Sequence, residues 1–231
     1  MLPGVAVHVV HRGNNRAPCF IKDEDREFYL FHLSRLLPRA DCGLHAYCLM
    51  DNHVHLLVTA KAATGCAALM KAIAQLHAQY INKNYGRSGY LWESRFKSCL
   101  VQSEDYVFAC HRYIELNPVR AGLARRPDEY QWSSFTANAM GQPSSLITPH
   151  DQYLSLGKNP AERQAVYREM FGSHLSAERL EEIRSATNGG YVFGSRDFKR
   201  VVSQALGRRV EKGTAGRPVR PDAGHDQLDL L

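Results

Sequence analysis

Hydrophobic and polar positions alternate in short runs along the first half of the chain, and the runs are separated by longer stretches of helical period. VAVHVVHRG, residues 5–13, is β-rich and alternating, which predicts a first strand. Asp23 is placed to cap a helix through EDREFYLFHLSRLL, and Pro38 to stop it. GLHAYCLM (43–50) predicts a second strand, Asp51-Asn52 a tight turn, and HVHLLVT (53–59) a third strand antiparallel to the second. From about Ala67 to Tyr85, the residues Leu69, Ile73, Leu76, Tyr80 and Asn84 recur on one face of a long helix. A loop bracketed by Gly86 and Gly89 leads into YLWESRFKSCLVQ (90–102), a fourth strand. Ser103 is then placed to cap EDYVFACHRYIELN (104–117), a helix that Pro118 ends or kinks. The order is β-α-β-β-α-β-α. Its first six elements follow the split βαβ, ferredoxin-like pattern: an α+β fold, with an antiparallel sheet and helices on one face.

The pattern loosens after Trp132-Ser133-Ser134-Phe135. Residues 137–160 are rich in Ser, Pro and Gly and predict a linker or peripheral loop. Helical patterns return at 161–171, 176–187 and 195–206, the last with Ser195 as its N-cap. The chain therefore divides into a larger domain (1–136), a linker (137–160), a small C-terminal helical extension (161–207) and a basic, polar tail (208–231) whose composition predicts disorder.

Composition narrows the class. The chain has 231 residues, 44% hydrophobic and 23% charged, enough to bury a globular core. No apolar run reaches the roughly 18–20 residues of a membrane span. The opening has no basic segment ahead of its short apolar run, so no signal peptide is expected. Six cysteines without a C-x-x-C predict reduced thiols and a cytoplasmic protein. Cys42, His45 and Cys48 could be drawn as a zinc site, but small buried hydrophobes on and near a strand are the better reading. The net charge of +6 favours a polyanionic partner, nucleic acid first.

Two local constellations carry chemistry. In a strand, i and i+2 share a face, so His53 and His55 present two imidazoles together while Val54 and Leu56 point inward. Such a pair grips a divalent metal, or is simply a surface pair on a half-buried strand. In HRYIELNPVRAGL, Tyr113 and Asn117 lie at i and i+4 on one helical face. Tyr106, Cys110, Tyr113 and Asn117 also form a stripe that would pack on the sheet, which accounts for the tyrosines better than for Asn117. Combined, the residues describe a metal held by His53, His55 and Asn117 beside a phosphate, with the Tyr113 phenol aimed at phosphorus. A covalent phosphotyrosine conserves the energy of the cleaved bond and allows rejoining without ATP.

DNHVHLLV, RYIELNPVRAGL, HVVHRGNNR and WSSF, spread over about residues 5–135, together resemble the single-tyrosine HUH transposases, and most of all the REP-associated tyrosine transposases. The resemblance implies the HUH version of the ferredoxin-like fold, with His53 and His55 as metal ligands around the hydrophobic Val54. It implies Tyr113 as a nucleophile that forms a 5′-phosphotyrosine and releases a 3′-hydroxyl. Asn117 stands where relatives place a third, polar ligand, with a shorter reach than Gln. Mg²⁺ or Mn²⁺ is the implied cofactor, and single-stranded DNA beside a hairpin of a palindromic repeat is the implied substrate. A bacterial, nucleoid-associated monomer or homodimer without membrane contact follows. Two alternatives stay open: a catalytically idle hairpin-binding protein, and a metal phosphodiesterase that uses water, with Tyr113 structural.

For DNA contacts the loop KNYGRSGYLWESRFK (83–97) stands out. Lys83, Arg87, Arg95 and Lys97 are suited to neutralise phosphates, and Tyr85, Tyr90 or Trp92 to stack on bases. Trp92 and Phe96 also fit the core side of the fourth strand. Arg12 and Arg120, next to the two motifs, are further phosphate candidates. Arg208 and Arg209 make the extension a candidate accessory DNA-binding segment that tunes affinity rather than chemistry, against the alternative of a solvated helix face. AGRPVR (215–220) resembles a minor-groove hook.

Overall fold

The structure, a computed structural model, describes residues 1–213. The AGRPVR stretch, and most of the tail expected to be disordered, lie outside the described residues. The elements are β1 (Ala6–Arg12), α1 (Asp23–Arg39), β2 (Cys42–Met50), β3 (His53–Ala60), α2 (Gly65–Asn84), β4 (Lys97–Val101), α3 (Asp105–Glu115) and α4 (Asn117–Arg120). They continue with α5 (Phe135–Met140), α6 (Asp151–Leu154), α7 (Pro160–Met170), α8 (Ala177–Gly189), β5 (Val192–Phe193) and α9 (Arg196–Leu206). No helix among the described residues is long and apolar enough to cross a membrane.

The sheet order is β2-β3-β1-β4-β5. β1 to β4 are antiparallel neighbours in the split βαβ arrangement, and β5 adds a fifth strand parallel to β4. Alternation decides which residue goes where. Val7, Val9, Leu44, Leu49, Val54, Leu56, Val58 and Leu100 point to one side and form one core with α1 and α2. Those two helices share a face, as the first six elements predict. The other face is covered as well, which corrects the expectation of helices on one face only. Ala6, Ala46, Cys48, Met50, Leu57, Cys99 and Val101 pack there against α3 and α8.

Local departures have local causes. α1 starts at Asp23, but Asp25 does the capping: its carboxylate accepts from the backbone N–H of Ile21 (2.7 Å) and of Lys22 (2.9 Å). The buried stripe of α2 runs through Leu69, Met70, Ile73, His77 and Ile81, because His77 enters the core and donates to the Cys19 carbonyl at 2.8 Å. β4 begins at Lys97; before it, Trp92 keeps an isolated antiparallel bridge to Gly13, while its ring stacks on His11 at 4.1 Å and its N–H donates to the Ala74 carbonyl. Glu104, with φ of 68°, precedes α3 where Ser103 was expected to cap. A Cβ on Gly13 would collide with the Ala17 carbonyl, so glycine is required where β1 meets the Asp51-Asn52 turn; there the Gly13 N–H donates to Asn52 O at 2.8 Å.

Residues 137–160 lie as a peripheral segment docked on the sheet and on α5. Thr148 pairs with the Leu44 carbonyl, the Thr148 carbonyl accepts from His45 Nδ1 at 2.7 Å, and Tyr153 donates to Asn138 O at 2.6 Å. The extension is likewise part of the sheet's shell, through α8 on β4 and through β5. All six cysteines are buried thiols, and Cys42, His45 and Cys48 do not converge: Cys42 and Cys48 belong to opposite faces.

Candidate active site

The hairpin sets the histidine pair on the face covered by α3. His53 is half-buried and His55 is 3% exposed. Their rings lie 4.9 Å apart at 80°. His53 Nδ1–H donates to Asn52 Oδ1 at 2.7 Å, which leaves Nε2 with its lone pair free. Asn117 Nδ2–H donates to His55 Nε2 at 2.6 Å, so that nitrogen also carries a lone pair. Burial, with Arg12 adding to it, pushes the pKa of His53 down to about 4. Burial, then His53, His8 and Arg120, pushes His55 well below the ordinary imidazole value. Both rings are therefore neutral, the form that binds a metal.

α3 brings the phenol to the same place. Pro118 lacks an N–H, and the helix breaks at Leu116 before resuming as α4. The Leu116 N–H still reaches Arg112 O and the Arg120 N–H reaches Leu116 O, each at 3.0 Å, so Tyr113 and Asn117 remain one turn apart. The Tyr113 ring stands edge-on to His55 at 5.7 Å between centroids. Arg120 places its guanidinium 4.5 Å over that ring and donates to the Tyr113 carbonyl at 2.5 Å. Thus His53, His55, Tyr113 and Asn117 come together, and Arg120 joins them.

Behind Tyr113 the helix is pinned by a buried acid. Glu115 accepts from Ser134 Oγ (2.5 Å), Asn138 Nδ2 (2.8 Å) and the Tyr167 hydroxyl (2.8 Å). Its burial pushes the pKa up to about 7, against those hydrogen bonds, which pull it down. The three donors come from the loop before α5, from α5 and from α7, so residues outside the two motifs hold the Tyr113 helix in place.

The basic candidates divide. Arg12, paired across the ladder with His53, lines one cleft with Arg95 and Lys97. Lys83 and Arg87 sit at the C-terminal end of α2, the helix that packs on the opposite face. Tyr85 donates to the Asp25 carboxylate at 3.0 Å and Trp92 is stacked inside, which leaves Tyr90, 87% exposed, as the stacking candidate. Arg208 is tied to the Gly190 carbonyl at 3.2 Å, and Arg209 lines a separate cleft with Arg196, Lys199 and Arg200 of α9.

Two residues of the site escape motif reading. His8 is 0% exposed on β1; its ring lies within 11° of parallel to that of His55, with His8 Nε2 3.0 Å from His55 Nδ1. Alternation in VAVHVVHR places His8 on the same face as Arg12, and that signal was available. Thr187 on α8 lies 2.9 Å from His8 Nδ1, across 179 residues of sequence, and nothing local announces it.

Among the described residues, no group of three or more His, Cys, Asp and Glu side chains is placed to hold a metal. A site at the histidine pair therefore needs another donor, and Asn117 is in reach. Its carboxamide meets His55 through nitrogen; half a turn about its last torsion presents oxygen instead. Two neutral imidazole nitrogens and an amide oxygen fit a divalent ion that accepts nitrogen and oxygen donors.

The sequence model of the family described as "Transposase IS200 like" matches residues 2–117. No curated protein matches the chain. Among solved structures, the chain is similar to a REP-associated tyrosine transposase bound to a REP hairpin, at 15% identity and a TM-score of 0.48, covering 64% of this chain and 88% of that one. It is similar to a putative transposase from Deinococcus radiodurans R1 at 20% identity and a TM-score of 0.37, covering 47% and 86%. A tRNA(His) guanylyltransferase from Saccharomyces cerevisiae follows at 9% identity and a TM-score of 0.39, covering 75% and 80%.

Proposed function

Because the chain belongs to the IS200-like transposase family, we propose that it cuts and rejoins single-stranded DNA beside a hairpin through a covalent 5′-phosphotyrosine on Tyr113. The observation that carries this reading is the meeting, on one face of the sheet, of two neutral imidazoles, an amide and a phenol from separate elements. His53, His55 and Asn117 are the residues that would hold Mg²⁺ or Mn²⁺. When bound, such an ion supplies positive charge to the scissile phosphate.

The chain's own side chains do the rest. The Tyr113 phenolic oxygen attacks phosphorus as its proton departs, the bond from phosphorus to the 3′ oxygen breaks, and that oxygen leaves as a hydroxyl. Attack by a 3′-hydroxyl on the phosphotyrosine reverses the step and rejoins the strand. Arg120, bonded to the Tyr113 carbonyl and lying over its ring, holds the phenol's orientation. Arg12, Arg95 and Lys97 neutralise phosphates of the strand that enters along β1. Exposed Tyr90 offers a stacking surface for an unpaired base.

The direct test is labelled single-stranded hairpin DNA incubated with the full chain and Mn²⁺, then resolved on a denaturing protein gel. A covalent protein–DNA band is expected. Cleaved DNA without that band would identify water as the nucleophile. Binding with neither product would leave a non-cutting hairpin binder.

A further inference from the structure

We propose that His8 and Thr187 form a positioning relay that fixes His55 in its Nδ1–H tautomer, keeping its Nε2 lone pair turned toward Asn117 and the metal site. The inference rests on the metal reading given above and extends it to residues outside the two motifs, one of them far beyond the residues matched by the family model.

The hydrogen bonds have one consistent direction. The Thr187 hydroxyl donates to the Ile183 carbonyl at 2.8 Å within α8, so its oxygen faces His8 as an acceptor. His8 Nδ1 must then carry the proton that bridges the 2.9 Å to Thr187. His8 is fully buried and, among the described residues, has no carboxylate hydrogen-bonded to it; in a neutral ring the other nitrogen, Nε2, holds a lone pair. That lone pair faces His55 Nδ1 at 3.0 Å and accepts its proton. His55 Nε2 is left unprotonated, in agreement with the N–H that Asn117 directs at it. The Cys99 thiol, 3.3 Å from the Thr187 oxygen, lies on the remaining side of that oxygen.

The arrangement has a mechanical side too. A ligating histidine is oriented by what its second nitrogen meets. Here the partner is a histidine of the neighbouring strand, and its own anchor is a hydroxyl on α8, packed on β4. The C-terminal extension therefore reaches the chemistry itself. It does not act only on affinity for DNA.

Thr187→Val removes the acceptor and keeps the shape. With it gone, His8 gains nothing from a proton on Nδ1; a proton on His8 Nε2 then turns His55 Nδ1 into an acceptor and places the His55 proton on Nε2, where a metal would sit. Ring-nitrogen NMR of the metal-free, isotope-labelled full chain reads this directly. The wild type should show His55 protonated at Nδ1, Thr187→Val should show a mixture, and Thr187→Ser should restore the wild-type pattern. Mn²⁺ affinity, measured by calorimetry on the same proteins, should fall about 10-fold or more in Thr187→Val and recover in Thr187→Ser. His8→Phe, which keeps a ring but no nitrogen, should lose the preference in the same way and serves if Thr187→Val does not fold. A wild-type His55 protonated at Nε2, or a tautomer and an affinity unmoved by Thr187→Val, would overturn the relay. Absence of Mn²⁺ binding by a wild type that shows the expected tautomer would instead overturn the metal reading, so the two failures are told apart.

Discussion

The two faces of the sheet use the same strands and differ at every second residue. On one, β1 and β3 send Val7, Val9, Val54, Leu56 and Val58 into a core closed by α1 and α2, helices that lie within the first 84 residues. On the other, the same strands send His8, His53 and His55, and the cover is α3 and α8, the latter more than 100 residues further along the chain. Apolar burial is undirected and roughly proportional to area, so many neighbours would serve. A buried imidazole is costly unless each nitrogen meets a partner, so only particular neighbours serve. The apolar face supplies stability with local parts; the polar face supplies geometry and needs distant parts to do so.

Substitutions three positions apart on β3, one on each face, should separate these roles. Leu56→Ala leaves a cavity in the first core and should lower stability by about 2–5 kcal/mol in denaturant melts. Molecules that stay folded should cleave normally. His53→Ala should do the reverse: the half-buried ring is lost with little change in the melt, and cleavage falls to background. If Leu56→Ala abolishes cleavage per folded molecule, or His53→Ala unfolds the chain, the two faces are not divided in this way.

Acid should expose a weakness of the apolar face, because the buried His77 packs there. Burial pushes His77 down to about 4, against the Cys19 carbonyl and Asp25, which raise it, while the unfolded chain binds a proton near the ordinary value of 6.5. The folded state thus holds the neutral ring. Its full stability is present above pH 6.5 and is lost as pH falls toward about 4, by roughly 3 kcal/mol at most for this one group. A pH series of melts should show a slope to which His53 and His55 also contribute, and His77→Gln should make it shallower. Equal slopes for both proteins would show that His77 is not held neutral.

Asn117→Ala should have the smallest effect. A neutral oxygen donor is replaceable by water, so the Mn²⁺ concentration for half-maximal cleavage should rise while activity remains measurable. An unchanged titration would remove Asn117 from the ligand set.

Local pattern explains what was legible in the sequence. The α+β class, the hairpin and the four antiparallel strands follow from alternation, and His53, His55, Tyr113 and Asn117 from spacings of two and four. β5 was not legible, since two residues carry no period and pair only because α8 returns the chain to β4. The second covered face was not legible either, because α3 and α8 meet it through tertiary packing. Nothing in IELNP marks Glu115 for burial; its partners Ser134, Asn138 and Tyr167 come from far along the chain. The predicted stripe of α2 omits His77, whose place in the core follows from a carbonyl, Cys19, 58 residues away.

The central claim is that the Tyr113 oxygen attacks DNA at this polar face. Tyr113→Phe removes that oxygen and leaves the ring, the helix, the histidines and the basic cleft. With labelled single-stranded hairpin DNA and Mn²⁺, the variant should bind near the wild-type affinity and give neither cleaved strand nor covalent band on a denaturing gel. A covalent band retained by Tyr113→Phe, or cleavage at the wild-type rate without one, would contradict the account.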